Sequence, residues 1–253
     1  MLWGATPVMG CVYAHFLLNT QVTGMSELFP LFATRAATRV EDEILVDNSG
    51  LGLHPSQVGQ ALISLGLTLF ITPILYPKLE RASGGHLGCF RVGMGMLTLV
   101  CLTMPSLRAL RQVSTSAMWV GLVAIGVMRG LSGPFIFSAV SVVLNDLIVD
   151  RPGLYNGLAM SASSLARAIA PISMGSLFAS VTATGAATAT NNAAAISTVG
   201  YRLPFYLLAI VGLVNLCLVS RVVACAARGS APRRVRRSKR LAMWWRRWRP
   251  HVT

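Results

Sequence analysis

The sequence predicts an all-α membrane protein, with six transmembrane helices in one bundle and a disordered basic tail. Three observations predict it. The 253 residues have a mean hydropathy of +0.62, and only 12% are charged, against about 25% in an ordinary soluble domain. Apolar stretches long enough for a bilayer, which takes roughly 20 residues, recur along the chain. Charge is also segregated. From Arg221 onward there are eleven Lys/Arg and no acid, while all eight acids precede Arg151. The net charge of +14 is therefore mainly that of a tail, which is a different object from a basic groove.

The first span covers about residues 7–33 and carries a heavy polar load for a spanning helix: His15, Asn19, Gln21 and Glu27. A hydrated loop follows, with Glu41, Asp42, Glu43 and Asp47 and a turn at Asn48-Ser49-Gly50. Pro55 after His54 has the place of a first-turn helix proline, and the second span covers about 55–77, with Pro73 and Pro77 expected to kink or end it. A polar turn over 78–86 leads to the third span, about 87–105, closed by Pro105. Arg91, near its start, can snorkel to the interface. After a loop over 108–116, the fourth span runs over about 117–148 and contains Arg129, Gly130, Gly133 and Pro134.

Asp150-Arg151-Pro152-Gly153 reads as a tight turn into the fifth span, about 153–180. Here Gly157, Ser161, Ser164, Ala168 and Gly175 fall at helical spacings and form a small-residue face that lets another helix approach. Arg167 lies near the middle of this span. Residues 181–200 form an uncharged Ala/Thr/Asn/Ser loop, expected to be mobile, and the sixth span covers about 201–225. Residues 1–227 thus make the bundle and 228–253 the Arg/Trp-rich tail.

Six spans place both termini on one side, and the basic tail assigns that side to the cytosol. Arg108 and Arg111, which then fall outside, run mildly against that assignment. Arginines interleaved with Trp244, Trp245 and Trp248 could bind nucleic acid by charge and stacking. Beside a spanning helix, anionic lipid headgroups fit the same composition better, at about 1 kcal/mol per basic residue. Cys11, Cys89, Cys101, Cys217 and Cys225 show no paired framework and read as small apolar residues. Met1-Leu2-Trp3-Gly4 lacks the basic opening of a signal peptide. No pattern of an enzyme, metal site or cofactor site is present, so the expectation is a non-enzyme without cofactor or metal.

An internal repeat is visible. Pro55, Gly59, Ser64 and Pro73-Ile74 recur as Pro152, Gly157, Ser161 and Pro171-Ile172, at offsets of 97 or 98. An offset of three spans inverts topology, as in many transporters.

Three places carry a resemblance to a known family. Leu79-Glu80-Arg81-x-x-Gly84 resembles the acid–base–glycine turn that the major facilitator superfamily repeats in each half. Glu27-Leu28-Phe29-Pro30, followed by a loop and Leu51-Gly52-Leu53-His54-Pro55-Ser56-Gln57-Val58-Gly59, is similar to the seventh-to-eighth helix passage of its fungal and plant multidrug or zinc-induced-facilitator-like subgroup. Asn156-Gly157-Leu158 with Ser163-Ser164-Leu165-Ala166-Arg167-Ala168-Ile169-Ala170-Pro171 resembles that subgroup's eleventh helix. The resemblance covers residues 7–225 and implies the C-terminal half of such a transporter, a bundle with a 3+3 inverted repeat. Gly85-His86 stands where the family turn has a basic pair, and the six helices of the other half have no counterpart here. A truncated chain, needing a second bundle or a homodimer partner, is the corresponding expectation.

The candidate residues follow from chemistry. Arg129 in a span can hold a substrate anion, pair with a carboxylate, or tie helices together through carbonyls. The resemblance sets it loosely beside an arginine of the family's fourth helix that is linked to proton coupling. Arg167, among small residues, reads as a helix anchor. Asn19 and Gln21 are candidate cavity-lining amides, His15 a packing histidine. Glu27 is a protonatable carboxylate or, near its span's outer end, a solvated one. The function expected is half of a secondary transporter moving a small solute by alternating access on an ion gradient. The alternative is a non-transporting scaffold or regulator that pairs with full-length transporters.

Overall fold

The computed structural model describes residues 7–35, 50–148, 151–187 and 200–229, and no strand occurs among them. The acidic loop, Asp150, most of the Ala/Thr-rich loop and the basic tail from residue 230 lie outside the described residues. The helices are α1 (Pro7–Thr34), α2 (Pro55–Ala82), α3 (His86–Thr103), the short α4 (Leu107–Val113), α5 (Thr115–Leu147), α6 (Pro152–Ala187) and α7 (Leu203–Gly229).

Five segments are long and apolar enough to cross a membrane: α2, α3 continued through α4, α5, α6 and α7. This is the architecture of a multi-pass membrane protein. Helix α1 is 28 residues long but lacks the hydropathy of the other five. It instead packs against α5, α6 and α7 at the centre of the bundle, where His15, Asn19 and Gln21 are buried against protein. That is where polar side chains within a bilayer are tolerated.

The long helices pair in a pattern that maps onto itself when α1–α2–α3 is exchanged with α5–α6–α7. Helix α2 lies on α5 and α6 lies on α1; α3 joins α5, α7 joins α1, and α3 meets α7. Helices α2 and α6 are thus the outer members, and they leave large apolar side chains uncovered. Phe70 is 83% exposed and Ile172 74%. Patches of this kind are a liability in water and suit a lipid or helix neighbour.

The core forms three clusters. Near the end shared by the α1 C-terminus and the α5 N-terminus, Met25, Leu28, Phe32, Met104, Leu122 and Phe205 pack together, with Phe32 stacked on Tyr201 at 6.0 Å and edge-on to Phe205 at 5.5 Å. Midway lie Leu18, Phe90, Met94, Leu97, Ile136 and Val140. At the far end Val8, Cys11, Val12, Leu144, Ile148 and Ala159 close the bundle.

Several boundaries differ from the sequence expectation. Helix α2 does not end at Pro73 or Pro77 but continues to Ala82, so Lys78–Ala82 is helical and the turn shrinks to Ser83–Gly85. Proline is tolerated inside membrane helices; in the turns before Pro73, Thr68 and Thr72 donate back to Ser64 O and Thr68 O at 2.6 Å. Pro105 does not stop the chain either. It lies in a 3-10 turn, Met104–Ser106, that leads into α4. Residues 108–113, expected as loop, are therefore helical. Helix α6 runs to Ala187, past the expected end at 180.

Two expected starts are observed. His54 caps α2, its ring nitrogen accepting from Ser56 N while Gln57 Oε1 accepts from His54 N at 2.9 Å, with Pro55 in the first turn. Arg151, at φ 53°, turns the chain into α6. The chain also returns onto the end of α1: Leu51 N and Leu53 N donate to Phe32 O and Ala33 O at 3.0 and 2.8 Å. Helix-terminal carbonyls without intrahelical partners are satisfied this way.

Candidate functional site

The polar load of α1 is arranged along its length. Asn19 and Ser26 are seven residues apart, two turns, so they share one face about 10 Å apart along the axis. Each receives a guanidinium from a different helix. Arg129, from the middle of α5, donates to Ser26 Oγ. Arg167, from α6, donates through Nε to Asn19 Oδ1 at 2.9 Å. Among the described residues neither span arginine is paired with a carboxylate; Glu80 instead meets the His86 ring, at 3.3 Å. Glu27, beside Ser26 in sequence, is exposed.

The Arg167 end is a complete relay. Asn19 Nδ2 donates to Ser163 Oγ at 3.0 Å and to His15 O at 2.8 Å, and Ser163 Oγ donates to Ala159 O at 2.8 Å. His15 Nδ1 lies 2.9 Å from Cys11 O. Ala159, Ser163, Ala166 and Ala170, spaced four, three and four apart, are all buried. This is the small face through which α6 approaches α1. The face named from sequence is a different one: Ser161, Ser164 and Ala168 are exposed, and a Cβ at Gly157 or Gly175 would meet nothing within 4 Å. Within the described residues it packs against no neighbour.

The Arg129 end is a cleft among α1, α2, α5 and Met104 of the Met104–Ser106 turn. Its walls include Met25, Phe29, Ala61, Leu65 and Leu122, and Arg129 lies at one end. Leu122 is two turns of α5 away from Arg129, so the apolar walls extend about 10 Å from the guanidinium. The cleft is open on one side, with a cavity volume of about 20 Å³.

Gln21, expected to line a cavity, points elsewhere. It is fully buried between α3 and α7, where its Nε2 lies 3.9 Å from Cys101 Sγ. A Cβ on Gly212 would collide with Gln21 Nε2 and Thr98 Oγ1, so α7 comes close to both side chains here. Asn215 donates to Ala14 O at 3.2 Å from the same face of α7. Sequence reasoning quoted Ser163 only within the resemblance and passed over Ser26, Thr98 and Asn215. A lone amide such as Asn215 in an apolar run is itself a signal that a helix faces protein.

The Glu80–Gly84 turn is built on glycine. Gly84 and Gly85 have φ of 79° and 106°, which only glycine adopts freely, and Gly85 N donates to Glu80 O at 2.8 Å. Glu80 meets His86 Nε2, whose other ring nitrogen lies 3.1 Å from Tyr76 Oη. Arg81 is exposed. Cys11, Cys89, Cys101 and Cys217 are free thiols, the first three buried. Among the described residues no group of His, Cys, Asp and Glu could hold a metal ion. No protein-family model matches the chain, and no curated protein matches it.

Proposed function

We propose that the chain is one bundle of a secondary active transporter of the major facilitator type. In this reading it moves a small solute by alternating access, driven by an ion gradient, together with a second bundle supplied by another chain or a second copy. The observation that carries this reading is the pairing pattern of the helices. A packing scheme that survives exchange of the first three long helices for the last three is what an inverted repeat of three spans produces. The Pro55/Pro152 sequence repeat relates the same pair, α2 and α6.

Two further observations support it. The unpaired guanidiniums of Arg129 and Arg167 gather on one face of α1, suited to an anion or to carboxylates of a partner bundle. The outer sides of α2 and α6 carry uncovered apolar residues together with open small positions at Gly59, Gly66, Gly157 and Gly175. Such surfaces favour close helix contact. All six long helices cross the membrane in this reading, α1 included, with both ends of the bundle in the cytosol.

Cysteine-accessibility mapping across the described turns tests the crossings. Both ends of α1 reacting from the same side of the membrane would sink the six-span arrangement. Solute uptake into proteoliposomes then tests the partnership. A tandem fusion of two copies, or co-reconstitution with a partner bundle, is expected to raise uptake above the single chain, and full uptake by purified monomer would refute the need for a partner. The same open faces of α2 and α6 also favour a second reading, a non-transporting scaffold that pairs with full-length transporters. A stable hetero-complex whose flux ignores Arg129→Ala would select it.

A further inference from the structure

The end of the bundle shared by the α1 C-terminus and the α5 N-terminus carries cations that the transport reading leaves unused. Arg108, in α4, has its guanidinium carbon 5.4 Å from the centre of the Tyr201 ring, and that of Arg202 lies 5.6 Å from the same centre. Arg202 Nε also donates to Tyr201 Oη at 3.1 Å. The ring is fixed: Tyr201 is 1% exposed, and Phe32 stacks on it at 6.0 Å. Two guanidiniums are thus gathered on one aromatic anchor, and both remain partly open to the surroundings. Neither meets a carboxylate among the described residues. Arg111, one turn further along α4, is exposed. Like charges drawn to one place repel, and an anion set between them removes that cost. Planar guanidinium forks match phosphate oxygens in particular.

Along α7 from that point the surface is hydrocarbon. Leu203, Leu207, Ile210 and Val214 follow Arg202 at spacings of four, three and four, which keeps them on one face, and they are 37–54% exposed. Tyr206, which also interacts with Arg202, is exposed beside them. The membrane-spanning segment Leu203–Val222 starts immediately after Arg202, so the guanidinium belongs at headgroup depth and the stripe among acyl chains. A free phosphate would engage the arginines and leave the stripe uncovered. A phospholipid engages both.

We propose that Arg108 and Arg202, gathered on Tyr201, hold the phosphate of an anionic phospholipid whose acyl chain lies along Leu203, Leu207, Ile210 and Val214. The site is separate from Arg129 and Arg167 and stands whether or not the chain transports a solute. It also gives the arginine of the loop between the third and fourth spans, which runs against the charge rule for orientation, a partner of its own.

The test uses the full chain in phosphatidylcholine nanodiscs doped with a phosphatidylglycerol that carries a photoreactive diazirine on its acyl chain. Crosslinked residues are then mapped by mass spectrometry, which separates this site from lipid gathered by the basic tail. Labelling of the Leu203–Val214 stripe is expected to exceed that by the matching phosphatidylcholine probe at least about fivefold, the worth of one basic residue near a charged surface. Arg108→Gln and Arg202→Gln should each lower it about fivefold, and the double variant should bring it to the phosphatidylcholine level. Labelling of the open face of α2 should stay unchanged throughout and so report an intact bundle. Arg108→Lys with Arg202→Lys, which keeps both charges, should retain most of the preference. Unlabelled phosphatidylglycerol should suppress the stripe signal, and inorganic phosphate should not. Equal labelling by the two probes, an undiminished signal in the double Gln variant, or suppression by inorganic phosphate alone would overturn the proposal. So would labelling that emerges only after Glu41, Asp42, Glu43 and Asp47 are neutralised, since the chain's own acids would then occupy the arginines.

Discussion

Two joints hold the outer helices to the centre of the bundle: α2 on α5, and α6 on α1. The pairing pattern makes them equivalent, yet they are built from different chemistry. In the α2–α5 joint the central helix supplies glycine. A Cβ at Gly130 would lie 2.7 Å from Thr68 Cβ and 2.9 Å from Leu65 O, and one at Gly126 would run into Ser64. The outer helix brings hydroxyls down onto that bare backbone. Pro134, with no N–H, leaves Gly130 O without its intrahelical partner, and Thr72 Oγ1 lies 3.3 Å from that oxygen. In the α6–α1 joint the small residues are on the outer helix, and the central helix contributes an amide. Asn19 gathers Ser163 and Arg167. One joint is backbone against hydroxyl, tight and neutral; the other is a side-chain relay that includes a cation. Equivalent places in a bundle thus constrain the distance between helices and leave free the means of achieving it.

This contrast can be broken at either joint. Filling the glycine side should do most damage. Gly130→Leu drives a branched side chain into Thr68 and the α2 backbone and should cost about 3 kcal/mol, the upper end for overpacking a tight contact. A denaturant titration in detergent should show the loss, and an effect under about 1 kcal/mol would mean that α2 is not tightly seated. Asn19→Leu comes next. It strands the Arg167 Nε, takes from Ser163 Oγ the donor it accepts from, and should cost about 1–2 kcal/mol by the same titration. A cycle with Arg167→Met sharpens it: the coupling should reach about 0.6–1.7 kcal/mol, the range for hydrogen bonds between membrane helices, while Gly130→Leu and Asn19→Leu should add independently. Thr72→Val should have the smallest effect, about 0.6 kcal/mol. Its hydroxyl bonds Thr68 O more closely than Gly130 O, so the helix-to-helix share is modest.

How far these joints could be read in advance depended on range. The apolar runs and the Pro55 start are local properties, and α2, α3, α5, α6 and α7 appear close to where hydropathy places them. The prolines misled because each removes only one N–H from a helix, and inside a membrane bundle that does not end it; α2 runs through Pro73 and Pro77 to Ala82. The polar residues of α1 marked it as unusual, but not which way each one faces. Gln21 turns to α3 and α7 and Asn19 to α6, a choice set by neighbours 80 to 191 residues away. The small face of α6 was legible as a feature, though a helix with two small stripes gives no sign of which is used. Arg129 and Arg167 stood out as charges in apolar runs; their meeting on one face of α1 needed the fold.

The length of α6 has a consequence for the membrane itself. At 36 residues it measures about 54 Å, against a hydrocarbon layer of about 30 Å. Standing upright, such a rod would carry several turns into the aqueous phase; leaning, it would keep more of them in lipid. Its sequence grades from Leu/Met/Ile toward Ala, Thr and Ser at the C-terminal end, so projection into water costs little there. A thicker bilayer would draw those last turns inward and a thinner one would release them. The tilt of α6, and with it the angle at which its exposed stripe meets any neighbour, is therefore a property the surrounding lipid can tune.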